Sequence, residues 1–120
     1  MNERDRSSVI RLAEARAAIP GPAGEHTTGV LRRGTLDVRL ALGRFAPRPA
    51  ATQPTSHAQD EVYVVVRGRG VLLHDGKRDA FEAGDLLFVA AGVAHRFEDF
   101  TDDLEVWVVF HGPAGGEVPR

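Results

Sequence analysis

Seven short apolar stretches, each stopped by glycine, aspartate or proline, constrain what this chain can fold into. Leu36–Leu42 alternates apolar with other residues at period two, the pattern of a strand with one buried face, so Asp37 and Arg39 share a side. Residues 61–66, Glu-Val-Tyr-Val-Val-Val, are strongly β-forming and stop at Arg67-Gly68-Arg69-Gly70. Residues 71–74 and 78–81 flank Asp75-Gly76-Lys77, and an Asp-Gly pair between apolar runs marks a hairpin. Runs at 85–89, 95–98 and 104–110 follow. Strands this short, at this cadence, require a sandwich or a barrel. Only the entry differs: residues 8–12 read as a possible short strand start, and the alanine-rich 13–18, closed by Pro20-Gly21, reads as a helix. The proline-rich stretch 46–54 cannot donate regularly to a ladder, so it reads as an extended connection.

With 120 residues, 42% of them hydrophobic, the chain can bury one core and has no room for two barrels in tandem. Fifteen basic against seventeen acidic residues give no electrostatic footprint for nucleic acid or an anionic membrane. No stretch reaches membrane-spanning length and no leader-like apolar region follows Met1, so a cytoplasmic protein is expected. Without cysteine there is no disulfide framework and no thiolate ligand, which directs any metal site toward nitrogen and oxygen donors.

Those donors are present at strand edges. His57-Ala-Gln-Asp60-Glu61 opens the strand at 61–66, and His95 opens the run at 95–98. Two imidazoles and a carboxylate are a sufficient set for a divalent ion. At roughly 3.3 Å per residue a straight strand would hold the Cα atoms of His57 and Glu61 about 13 Å apart, far beyond two metal bonds of about 2.0–2.2 Å. The segment 58–60 must therefore bend, and either Asp60 or Glu61 can supply the carboxylate.

The spacing resembles the cupin family. Its first motif reads roughly G-x5-H-x-H-x3-4-E-x6-G, and His57-x3-Glu61-x6-Gly68 matches the second half. The second reads G-x5-P-x-G-x2-H-x3-N, and Gly84-x5-Ala90-x-Gly92-x2-His95-x3-Asp99 follows it with Ala90 and Asp99 substituted. Fifteen residues, 69–83, separate the motifs, the usual gap in small members of the family. Thr55 stands where many metal-binding cupins carry the leading histidine, leaving Thr55, Asp60 or water to complete the site.

The resemblance implies an all-β double-stranded β-helix, or jelly-roll barrel, at 21–112, after an extension at 1–20 and before a tail at 113–120. It implies a metal site at His57, Glu61 and His95, with Glu61 preferred over Asp60 and sharing the parity of inward Tyr63 and Val65. Family members range from dioxygenases and decarboxylases to isomerases, cyclases and non-catalytic ligand-binding domains. Two His and one carboxylate are the facial set suited to non-haem Fe(II), with Mn, Ni, Co, Cu or Zn also accommodated. An iron dioxygenase acting on a small molecule is the leading expectation, with a binding module or a non-oxidative isomerase, cyclase or lyase as alternatives. Arg39 is a candidate anchor for a substrate carboxylate and Tyr63 a candidate pocket residue. Gln53, Thr55 and Gln59 read as loop hydrogen-bonders, and His26, His74 and His111 as ordinary surface or strand histidines. Both faces of the strand at 62–66 are apolar, so the outer face needs a cover, either the amino-terminal segment or a second copy in a homodimer, with Trp107 and Phe110 extending the patch.

Overall fold

The computed structural model describes residues 6–21, 24, 26–43 and 57–119. The connection at 46–54, with Gln53 and Thr55, lies outside the described residues. Among the described residues, one short helix, α1 (Leu12–Ala17), precedes eight strands: β1 (Thr27–Arg33), β2 (Leu36–Leu42), β3 (Asp60–Arg67), β4 (Arg69–His74), β5 (Lys77–Glu82), β6 (Leu86–Val89), β7 (His95–Glu98) and β8 (Glu105–His111). A five-stranded sheet ordered β1-β2-β8-β3-β6 faces a three-stranded sheet ordered β5-β4-β7, and every pairing is antiparallel. The fold is the expected jelly-roll barrel. Among the described residues, no helix is long and apolar enough to cross a membrane.

Two sequence expectations at the amino-terminal end change. Residues 8–11 form no strand and lead into α1. β1 has no counterpart among the seven runs; Gly29 and a register shift between Gly29 and Leu31 interrupt its alternation, which hides it from a period-two reading.

The core lies between the sheets and contains Tyr63, Val65, Leu72, Phe81, Val89, Phe100, Leu104, Val106 and Val108. Register explains the membership. Val65 stands opposite Val106, and Tyr63 opposite Val108, so these pairs share the inner face. Arg39 also stands opposite Val108, and Asp37 opposite Phe110, which places both β2 side chains on that inner face at one mouth of the barrel.

The opposite end closes on Gly68, at the β3–β4 turn. Its φ of 85° is left-handed, and a Cβ there would lie 2.6 Å from Thr101 Oγ1 and 2.8 Å from the Leu104 Cα. Both constraints fall on one residue. Gly68→Ala is therefore expected to lower stability by about 1–3 kcal/mol or more; an unchanged urea midpoint would show that the turn relaxes freely.

The outer face of the five-stranded sheet is only partly covered. Arg16 of α1 grips the buried Glu105 of β8 through Nε (2.7 Å) and Nη2 (2.8 Å), and Leu40 and Leu42 are buried. Toward the β6 edge, Val64, Phe88 and Leu86 stay 36%, 54% and 64% exposed. Trp107, opposite Val64, borders this patch. Phe110 does not extend it: three residues from Trp107 it has the opposite parity, and it packs inward against the core and the His57 ring.

Candidate metal centre

The bend between His57 and Glu61 is fixed by hydrogen bonds from neighbouring segments. The N–H of Gly92 donates to the His57 carbonyl (2.8 Å) and that of Gly115 to the Ala58 carbonyl (2.8 Å). Gln59 Nε2 donates to the carbonyls of Thr35 (2.8 Å) and Gly112 (3.0 Å), tying the bend to the β1–β2 turn and to the end of β8. Gly92 belongs to the second sequence motif, so the motif positions the first histidine as well as the second.

Asp60 is occupied elsewhere. Its Oδ1 accepts the Ala91 N–H and its Oδ2 the Glu117 N–H, both at 2.9 Å. These two bonds lower its pKa, against a smaller opposing effect of burial. The alternative carboxylate thus anchors the β6–β7 turn and the carboxyl-terminal tail, leaving Glu61 as the carboxylate that meets the histidines.

Glu61 is buried on the inner face, opposite Phe110 on β8 and Val89 on β6. His57 Nε2 lies 3.4 Å from its Oε1, and His95 Nε2 lies 3.1 Å from its Oε2. The Tyr63 hydroxyl donates to Glu61 Oε1 (3.3 Å) and lies 3.1 Å from His95 Nε2. His95 Nδ1 contacts the Val93 carbonyl at 2.9 Å. That carbonyl only accepts, so Nδ1 carries a proton; the neutral ring presents its Nε2 lone pair to Glu61, and the imidazolium donates Nε2–H to it. Burial disfavours the charged imidazole, yet the hydrogen bonds to Glu61 and Val93 and the Glu61 charge raise the His95 pKa.

The structure brings His57, Glu61, His95 and Tyr63 together and sets Arg39 one step away. The Arg39 guanidinium pairs with Asp37 (2.8 and 3.4 Å) and lies over the Phe110 ring, 5.2 Å from its centroid. Phe110 in turn touches the His57 ring at 5.1 Å between centroids, so an aromatic step separates Arg39 from the cluster. His74 is a mouth residue that sequence reasoning did not single out. It stands opposite His95 in the β4–β7 ladder and two residues after the core residue Leu72, hence on the inner face, with Nε2 2.7 Å from Asp79 Oδ2. The register set by the Asp75-Gly76 turn was the signal for it.

Among the described residues, no three or more His, Cys, Asp or Glu side chains already surround a common point as a metal cage. The contacts instead run pairwise through Glu61, each histidine facing a different carboxylate oxygen. Even so, the donors fit a divalent ion. Two imidazoles and a carboxylate are nitrogen and oxygen ligands, and adjacent donors at bonds of about 2.1 Å in an octahedron lie about 3 Å apart, close to the 3.1 Å between His95 Nε2 and Glu61 Oε2. His57, with 47% of its side chain exposed, is free to complete the approach.

A family model described as a cupin domain matches residues 41–110, more than half of the chain. An uncharacterized protein of Streptomyces coelicolor is 46% identical over 75 residues, covering 62% of this chain and 71% of that protein. Among solved structures, a cupin 2 conserved barrel domain protein from Salinispora arenicola superposes with a TM-score of 0.61 at 19% identity, covering 90% of this chain and 91% of that one. A cupin-2 domain protein from Shewanella frigidimarina gives 0.61 at 15% identity, covering 84% and 92%. At such identities the structural likeness establishes the fold alone.

Proposed function

The chain belongs to the cupin domain family, and on that premise we propose that it is a metal-dependent small-molecule enzyme, a non-haem iron dioxygenase in the first reading. The observation that carries the proposal is the pair His95 Nε2 and Glu61 Oε2. Both present lone pairs, both are buried and they lie 3.1 Å apart, an arrangement that calls for a cation between or beside them. A proton fills that need in the metal-free protein; a divalent ion held by His57, Glu61 and His95 fills it in the working one. Fe(II) there would supply open positions for O₂ and a bidentate substrate, whereas a redox-inactive ion would supply Lewis acidity.

The chain's own residues then divide the remaining work. Phe110 packs against the His57 ring, and Arg39, already oriented by Asp37 and the Phe110 face, is the proposed anchor for a substrate carboxylate. A second reading, a ligand-binding module without turnover, draws support from the same pairing. Arg39 is engaged by Asp37, Tyr63 by Glu61 and His74 by Asp79, so none of the three is poised as an unengaged acid or base. Anaerobic reconstitution with Fe(II), followed by oxygen-electrode measurement across diketones, catechols and thiols, separates the two. Oxygen uptake with product supports the dioxygenase; stoichiometric binding without uptake supports the module.

We propose further that the exposed patch of Val64, Leu86 and Phe88 packs against a second copy of this chain. Among the described residues, the amino-terminal helix covers the β2–β8 side of the same face and nothing covers this side, next to β6 at the end of the strand order. Light scattering at micromolar concentration is expected to give twice 13.0 kDa, and Phe88→Asp to return the protein to the monomer mass. A wild-type mass near 13.0 kDa would defeat the dimer.

A further inference from the structure

Tyr63 is the chain's single tyrosine, and its phenol sits between two of the proposed ligands. It follows Glu61 by two residues on β3, so both side chains face the same interior. The ring packs edge-on against Phe97, 5.1 Å between centroids, and the residue is buried. A phenol keeps its proton near neutral pH, its ordinary pKa being about 10, so the hydroxyl is available as a donor.

The hydroxyl proton has one constant acceptor: Glu61 Oε1 lies 3.3 Å from the hydroxyl, while His95 Nε2, at 3.1 Å, can accept only in the neutral ring, whose proton sits on Nδ1 toward the Val93 carbonyl. When a cation engages Nε2, the phenol proton has only Glu61 Oε1 left to bind. The same oxygen is approached from the mouth by His57 at 3.4 Å, so among the described residues the phenol is what holds Oε1 from the buried side.

We infer that Tyr63 is a positioning residue of the metal centre: its hydroxyl clamps Glu61 Oε1 so that Oε2 stays aimed at His95. The inference rests on the proposal that this cluster takes a divalent ion. It assigns the Tyr63 hydroxyl to the carboxylate rather than to the substrate as a donor. Hydrogen bonds of this kind from outside the ligand set typically change metal affinity by about 10- to 100-fold.

The test uses Co(II) alone, on full-length protein. Tyr63→Phe keeps the ring and its Phe97 contact while removing only the hydroxyl, and is expected to bind Co(II) about 10- to 100-fold more weakly, with shifted visible absorption bands. A purely packing role would lower the melting temperature and leave both the affinity and the bands unchanged, and that result overturns the inference. Wild-type protein that takes up no Co(II) overturns the metal reading and the inference together, whereas wild-type binding matched by an equal Tyr63→Phe overturns the inference alone. Because the chain has one tyrosine, 3-fluorotyrosine labelling gives a single fluorine resonance without any substitution. It is expected to move with Zn(II) and to stop moving at saturation of the site; a resonance indifferent to Zn(II) would overturn the inference even if Tyr63→Phe failed to fold.

Discussion

His95→Ala is expected to weaken divalent-metal binding by roughly two to three orders of magnitude. Structural zinc sites derive about 10–16 kcal/mol from about four ligands, so one lost imidazole removes about 2.5–4 kcal/mol. A site with three protein donors has little reserve. His57→Ala is expected to act in the same direction with less damage to the fold, because His57 is half exposed whereas His95 is buried and is the partner of Glu61 Oε2. Removing the His95 ring also leaves that oxygen without its charged partner, so the variant should melt earlier than wild type in the absence of metal. His95→Gln, which retains an amide near the carboxylate, separates the two effects: it should recover stability without recovering affinity. Near-stoichiometric metal retained by purified His95→Ala or His57→Ala, measured by elemental analysis without a histidine tag, would remove these residues from the site.

Much of the barrel was legible because its strands announce themselves by parity. In Glu61, Tyr63 and Val65 the inward residues alternate with Val62 and Val64, and the structure buries the first three on the side facing the core. The Asp75-Gly76 hairpin was legible for a different reason: Asp75 at φ 50° and Gly76 at φ 73° take the left-handed conformations that this dipeptide favours. β1 escaped because a glycine and a register shift break its period, and α1 starts at Leu12 without a side-chain cap to mark the boundary. Parity also corrects one part of the reading of the outer face. The strand at 62–66 has apolar residues of both parities and Val64 stays partly exposed, but Phe110 belongs to the inner face and does not extend that patch.

The candidate cluster was legible in its residues and not in its supports. Residue type at strand edges and the resemblance to the cupin motifs pointed to His57, Glu61 and His95, and the bend between the first two followed from strand length alone. What spacing does not encode is which segment returns to hold that bend. Gly92, Gly115 and Gln59 do so through contacts across dozens of residues, and Glu117 and Ala91 claim Asp60 in the same way. Such contacts depend on strand order, β8 lying between β2 and β3, which the sequence pattern leaves open. His74 shows the same limit: it reads as one histidine among five until the β4–β7 ladder sets it opposite His95.

Metal-free and metal-loaded protein are expected to respond to pH in opposite directions. In the metal-free state burial works against the His95 imidazolium, but the Glu61 and Val93 hydrogen bonds and the Glu61 charge prevail and raise its pKa. A group whose folded pKa is raised stabilises the fold fully below its unfolded value, about 6.5 for histidine, and that contribution is lost as pH rises through the folded pKa. Metal binding needs the neutral ring, so the ion must displace the same proton. Its affinity should therefore rise with pH, about tenfold per unit for each proton displaced, and level off above the folded pKa of His95. The melting temperature of chelator-treated protein should fall as pH rises above about 6.5 while that of Zn(II)-saturated protein holds or rises, so that the stabilisation by metal grows over the same range. The acid limb has a separate cause: Asp60, with its lowered pKa, contributes stability above its ordinary carboxylate value that is lost as pH falls through its folded pKa, with or without metal. A metal affinity that stays flat from about pH 5 to 8 would mean that no histidine holds the ion, and would return the site to its carboxylates.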